Sequence, residues 1–255
     1  MTKEDRQNAI LDQLLTQESV LVSELATSLD VSLVTIRKDL TELEKAGKLY
    51  RSHGKAILIN PFTNNRSVNE KEKLKAEEKQ LIGAEAVKLL AKDDSIILAS
   101  GTTIHALACN IHAESRLTIV SASLQATMTL AANDNIDIIQ LGGMVRHSSV
   151  SVVGQYSMEI LRGCSFTKLF LGVDGIDLDF GISTTDMREA ELNRSMMNAA
   201  QKTIVLADSS KFGRRGFAKI SGLEDVDIII TDAKIPQFVA NKIGEMGIEL
   251  IIAGS

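Results

Sequence analysis

Residues 31–40, reading VSLVTIRKDL, constrain the fold more than any other stretch of the chain. Ser32 is a natural helix N-cap, because its hydroxyl can accept from a free backbone N–H one turn on. Ile36, Leu40 and Leu43 recur at spacings of four and three and so share a face. Arg37 and Lys38 fall off that face, with Thr35 near the helix start. A short capped helix with small polar and basic groups at its N-terminal end suits the major groove of double-stranded DNA.

The neighbouring residues extend this pattern. Residues 6–15 predict an amphipathic helix with Ile10, Leu11, Leu14 and Leu15 apolar. Residues 22–29 predict a shorter one, capped by Ser23, with Glu24 in its first turn. Asp30, Val31 and Ser32 leave room for a sharp turn into the third helix, which completes a helix-turn-helix over about residues 20–39. Gly47 is expected to cap that helix in the left-handed conformation. Residues 48–57 then predict two short strands around a turn at His53 and Gly54. Such a wing would carry Arg51, His53, Gly54 and Lys55 to phosphates or the minor groove. The candidate DNA contacts are Ser32, Thr35, Arg37, Lys38, Arg51, His53, Gly54 and Lys55. The competing reading is a three-helix interaction module whose lysines are merely solvated.

Total charge does not point to nucleic acid, since the chain carries a net −5 with a pI near 5.5. Its distribution does. Residues 1–30 hold two basic side chains against six acidic ones, while residues 31–57 hold six against three. The positive charge gathers where DNA would lie.

The 255 residues suffice for one or two domains with real cores. No apolar run approaches the roughly 20 residues that span a bilayer. The polar start leads directly into a helix, so no secretory signal is expected and a cytoplasmic location is. Cys109 and Cys164 match no metal or redox spacing and are expected as reduced core residues. His53, His105, His112 and His147 form no ligand cluster. The absence of Trp argues against surfaces that stack single strands. No metal or cofactor is expected.

The chain divides at a turn-rich stretch. Residues 1–59 read as the DNA-binding domain, 60–68 as a linker and 69–255 as a second domain. The second domain opens with a charged helix over residues 69–90, its first half mostly solvated. Short apolar runs then alternate with helical stretches: residues 96–98, 117–120, 136–141, 169–171, 203–207, 228–230 and 250–252. Strands this apolar are buried on both faces, so the expected fold is α/β with a mostly parallel sheet. Ligands of such sheets bind outside the carboxyl ends of the strands.

Polar clusters fall at those ends. Ser100, Gly101, Thr102 and Thr103 follow the first strand and open a helix, a pattern that binds phosphate. Ser123 follows the second strand, Arg146 the third, and Asp174 and Gly175 the fourth. Glu189 lies in the first turn of a helix and could accept from sugar hydroxyls. Lys211 follows the fifth strand. Phosphate donors, a lysine and carboxylates at one sheet edge describe a site for a small phosphorylated polyol.

These segments, taken in order, resemble the DeoR family of bacterial transcriptional regulators. The resemblance runs through residues 31–44, Arg51 to Gly54, Ser100 to Thr103, residues 141–146, residues 170–177, Glu189 with Ala190, and residues 207–212. It implies a winged helix-turn-helix fused to a sensor domain of the ribose-phosphate-isomerase and CoA-transferase-like type. It also implies a repressor of a sugar-catabolic operon, an inducing sugar phosphate, and a homodimer or homotetramer. Two positions depart from the family. Ala99 stands where an acid is common, and Ser121, Ala122 and Ser123 replace a Thr-Asn-Asn or Thr-Asn-Ser run, so a relative's ligand cannot be copied.

An enzyme is the alternative. Asp174, Asp177, Glu189 and Lys211 resemble parts of the ribose-phosphate isomerase site, with the DNA module as an accessory. That chemistry also needs a lysine in the glycine-bearing loop after the aspartates, and residues 180–186 contain none. Binding without turnover is therefore the expectation.

Overall fold

The computed structural model describes residues 2–17, 19–46, 48–52, 54–58 and 68–254. Two compact units emerge, Met1–Asn64 and Asn65–Ser255. His53, Gly47 and residues 60–67 of the expected linker lie outside the described residues.

The first unit contains α1 (Lys3–Gln17), α2 (Val22–Ser28) and α3 (Leu33–Lys45). A wing follows, made of β2 (Leu49–Ser52) and β3 (Lys55–Leu58). A third strand, β1 (Ser19–Leu21), pairs antiparallel with β3 and gives the order β1-β3-β2. Sequence patterning offered only two strands here, because three residues are too few to show alternation. Ser23 lies inside α2 and does not cap it. The Leu21 N–H, at the capping position, donates instead to the Glu24 carboxylate at 3.2 Å. Asp30 adopts φ +51° and turns the chain sharply between α2 and α3. Ile10, Leu14, Leu25, Ile36, Leu40 and Leu49 are fully buried together. One charged pair joins this core: the Arg6 guanidinium reaches both Asp39 oxygens, at 2.5 and 3.1 Å, tying α1 to α3.

The second unit is built on seven strands: β4 (Ser95–Leu98), β5 (Leu117–Ser121), β6 (Ile136–Gln140), β9 (Lys168–Gly172), β12 (Thr203–Leu206), β14 (Ile228–Asp232) and β15 (Glu249–Ala253). They form one parallel sheet in the order β15-β14-β12-β9-β4-β5-β6. Each apolar run of the sequence is one of these strands. Apolar clusters cover both faces of the sheet, with Ile97, Leu169, Leu171 and Val205 on one and Ile96, Leu98, Phe170 and Ile204 on the other. Alternation along each strand divides the clusters, as a sheet buried on both sides requires.

Two expectations fail here. The helix expected over residues 69–90 is two helices, α4 (Val68–Lys73) and α5 (Ala76–Val87), with Lys75 between them at φ +57°. Its first half is mostly exposed, as expected, with the exception of Lys79, which is buried and donates to the carbonyls of Lys71 and Leu74, at 2.5 and 2.7 Å. Both cysteines are free thiols, but they are exposed rather than in the core. On α6 (Thr102–Asn110) burial of Ile104, Leu107 and Ala108 turns Cys109 outward.

Candidate functional site

On α3 the Ser32 hydroxyl accepts from the Thr35 N–H at 3.2 Å and lies 2.9 Å from the Thr35 hydroxyl. The cap is as the sequence predicts. Ile36, Leu40 and Leu43 are buried, while Arg37 and Lys38 are exposed on the opposite side. Thr35 is half-buried. The wing residues differ from one another. Lys55 is exposed beside Gly54, whose φ of +76° makes the wing turn. Arg51 is engaged: its guanidinium pairs with Glu44 of α3 at 2.6 Å and its N–H donates to the same carboxylate at 3.0 Å. It braces β2 against α3 and must exchange Glu44 for any phosphate. Val34 was missed by the sequence reading, yet it is 74% exposed in the first turn of α3.

In the second unit the polar residues meet at the carboxyl ends of the strands. Gly101, at φ +115°, turns the chain from β4 into α6. Gly172 closes β9 against this turn, where a Cβ would stand 2.8 Å from the Ser100 carbonyl. Arg146 arrives on the hairpin of β7 (Met144–Arg146) and β8 (Ser151–Val153). Glu189 comes from α9 (Met187–Ala199), where the Asp186 side chain caps the start by accepting from the Arg188 and Glu189 N–H groups. Lys211 ends a short 3-10 turn, Ser209–Lys211, held by Asp208 at its start and by a 2.7 Å bond from the Ser209 N–H to Asp232.

These groups form one network. Glu189 accepts from the hydroxyls of Ser100 at 2.9 Å and Thr184 at 3.0 Å, and from the Arg146 guanidinium. Arg146, only 6% exposed, also faces Asp186 at 3.5 Å. Thr184 donates to Asp174 at 3.1 Å as well, and Asp174 pairs with Lys71 of α4 at 2.7 Å. Burial by itself raises the Asp174 carboxyl, but Lys71 and Lys211 outweigh it and hold the group well below the usual carboxylate range. Desolvation lowers the Lys211 ammonium, against the pull of Asp174 and Asp208. Burial also draws Lys79 down to about 8, opposed by Asp208 and reinforced by Lys211 and Lys71.

Four of the residues expected at the ligand site are thus joined here, Ser100, Arg146, Asp174 and Glu189, and the charge of a fifth, Lys211, acts on Asp174. Thr102 and Thr103 are buried in the first turn of α6. Two others serve the fold. Ser123 is buried as the N-cap of α7 (Leu124–Leu130), its hydroxyl accepting from the Ala126 N–H at 3.2 Å. Gly175 is buried in β10 (Gly175–Asp177), where a Cβ would lie 2.5 Å from the Arg214 carbonyl. Lys71 and Thr184 take part without having been expected there, and Asp186, expected only to open its helix, also faces Arg146. Nothing in their local pattern marks them, because a solvated helix, a strand and a helix cap each account for them separately. The enzyme alternative is disfavoured on the same geometry, since the candidate base Glu189 is held by two hydroxyls and a guanidinium. Among the described residues no group of three or more His, Cys, Asp or Glu could hold a metal ion.

Comparison with known proteins agrees with this arrangement. The DeoR-like helix-turn-helix domain matches residues 6–62, and the DeoR C terminal sensor domain matches residues 74–233. The putative aga operon transcriptional repressor of Escherichia coli O157:H7 is 34% identical over 98% of this chain and 94% of its own length. The HTH-type transcriptional regulator GolR of Listeria innocua is 32% identical over 98% of each chain. The HTH-type transcriptional repressor GlcR of Bacillus subtilis is 31% identical over 99% of this chain and 97% of its own. A capped, basic-faced helix in one unit, a buried polar site in the other and relatives matched from end to end place this chain in the DeoR family of DNA-binding transcriptional regulators, proteins that are not enzymes.

Proposed function

We propose that this regulator represses a carbohydrate-catabolic operon and that a phosphorylated sugar releases it from its operator. Lys211 carries the reading. It is a desolvated ammonium at the carboxyl edge of a parallel sheet, and among the described residues no hydrogen bond or ion pair engages its Nζ. Such a group lowers its energy by meeting an anion. The hydroxyls of Thr102 and Thr103 and the free N–H groups at the start of α6 offer phosphate donors in the same unit. Asp174 and Glu189 are the acceptors for sugar hydroxyls, and Ser100 and Gly101 shape the turn between them. Arg146 is committed to Glu189 and Asp186, so it orders the acids and a phosphate would have to compete for it.

On the DNA side, Thr35, Arg37 and Lys38 read the major groove from the end capped by Ser32, while Arg51, His53, Gly54 and Lys55 follow the backbone. The relatives' printed names, an aga operon repressor and the repressor GlcR, support repression of sugar genes. The protein works as a homodimer or homotetramer in the cytoplasm, because paired heads must match half-sites about one helical turn apart or a multiple of that. Among the described residues no helix is long and apolar enough to cross a membrane. Ligand releases DNA only through unequal affinity for the two arrangements of those heads.

The test is fluorescence anisotropy on the protein's own upstream DNA at fixed salt, with a panel of sugar phosphates titrated into the complex. Release by one compound at micromolar to low millimolar concentration is the expected result. Tight, sequence-specific binding that no phosphorylated sugar alters would overturn the effector assignment and leave the DNA assignment standing.

A further inference from the structure

We propose that Val34 reads a thymine in the operator through the C5-methyl group of the base. The proposal rests on the placement of α3 in the major groove and adds to it a base identity. Buried Ile36, Leu40 and Leu43 fix the rotation of α3, so the helix has one outer face. Val34, Arg37, Lys38 and Thr41 fall on that face at spacings of three, four and seven. Arg37 and Lys38 are exposed, as DNA contacts must be before DNA binds. Val34 is the anomaly among them: a β-branched apolar side chain, 74% exposed in the first turn of the helix.

Val34 is not among the described side chains packed on the core of this unit, so its outward position leaves it available to a partner. Ile36, two residues on, already supplies the core contact. The unpaired first-turn end of α3 is the part of a reading helix that meets base edges. On those edges the major groove offers one apolar group, the thymine methyl. Valine carries two methyls on a stiff χ1 and so presents a fixed apolar surface. The lysine and arginine one turn on provide the attraction that seats it, and neither can distinguish a methyl from a hydrogen.

The experiment uses the full chain and a duplex from its own upstream region, with the bound segment mapped by footprinting. Each thymine in that segment is replaced singly by deoxyuridine, which removes the methyl and keeps the base pair. The wild-type protein is expected to lose roughly fourfold in affinity at one thymine per half-site, the worth of one buried methyl group. Val34→Ala should bind the thymine and deoxyuridine duplexes equally at that position and retain wild-type responses elsewhere. Val34→Ile keeps a branched apolar tip and should restore the discrimination. A wild-type protein indifferent to every replacement overturns the proposal. So does a Val34→Ala protein that keeps the same discrimination, or one that weakens equally on all duplexes. A Val34→Ala protein altered only in its oligomeric state, measured by sedimentation, would assign the side chain to a protein contact instead. Equal affinity for the upstream duplex and a scrambled one would be a separate failure, that of operator recognition itself.

Discussion

On α3, the residues that hold the fold and the residues proposed to meet DNA occupy opposite sides of one helix. Ile36 and Leu40 are buried, and Val34, Arg37 and Lys38 face outward. In the sensor site the two roles fall on the same residues. Glu189 neutralises Arg146 and fixes Ser100 and Thr184, and it is also the acceptor proposed above for a sugar hydroxyl. Lys71 anchors α4 to Asp174 and is also a cation at the site. Reading DNA needs a rigid exposed edge, which a single packed helix supplies. Binding a small anion selectively needs desolvated charges, and desolvated charges must be balanced by neighbours or the fold fails.

This contrast predicts that site variants change stability and binding together, whereas α3 variants change binding alone. The largest effect should come from Glu189→Ala, which removes a directly paired carboxylate from buried Arg146. Breaking such a network costs about 3 kcal/mol, or roughly 6–12 °C in the Tm of a domain of this size. The response to effector should vanish with it. A variant that melts like wild type yet ignores effector would break the contrast.

Arg37→Ala should next weaken operator binding by about 1–3 kcal/mol if the side chain reads a base, with Tm unchanged. If it touches only phosphate, binding should weaken evenly across sequences and the salt slope should fall by about 1. Unchanged affinity would remove α3 from the groove.

Lys71→Met should weaken binding of the released sugar phosphate roughly tenfold in calorimetry, while operator affinity without sugar stays as in wild type. An unaltered Kd would make Lys71 a brace for α4 and no part of the ligand site.

The smallest effect lies outside both regions. A hydrogen bond from Lys234 at 2.7 Å leads the contacts that hold Glu78 down to about 2. A carboxylate lowered in the folded state stabilises above its unfolded value near 4.5, and that contribution is lost as pH falls toward 2. Because Lys234 is largely exposed, Glu78→Gln should cost about 0–1 kcal/mol at pH 6, with its Tm converging on wild type between pH 4.5 and 2. A gap that persists at pH 2 would assign the loss to packing.

How much of this was legible in the sequence follows from how local each signal is. The cap at Ser32, the buried stripe of α3 and the seven apolar runs are properties of short windows, and each is found where its pattern put it. Lys79 carried a readable sign as well, since it lies on the same face of α5 as Ile82 and Ala86, three and seven residues on. Harder to read are the residues whose local pattern had two good uses. Ser123 matched a ligand hydroxyl and a helix cap, and it caps. Gly175 matched a ligand loop and a crowded strand, and it makes room for a carbonyl. Cys109 matched a core residue, but the rotation of α6 was set by Leu107 and Ala108 packing on the sheet.

The sequence by itself determined the capped helix α3 with its buried stripe, the parallel α/β class of the second unit and the family, because spacing, capping and hydrophobic period act within a few residues. Only the tertiary structure decided that Arg146 faces Glu189, that Lys71 reaches Asp174 across 103 positions of chain, and that Lys211 alone among these cations has no direct partner among the described residues. Those facts depend on the sheet order β15-β14-β12-β9-β4-β5-β6, which brings distant strand ends to one edge. Strand order is fixed by crossover connections and by the packing of both sheet faces, and neither leaves a periodic mark in the sequence.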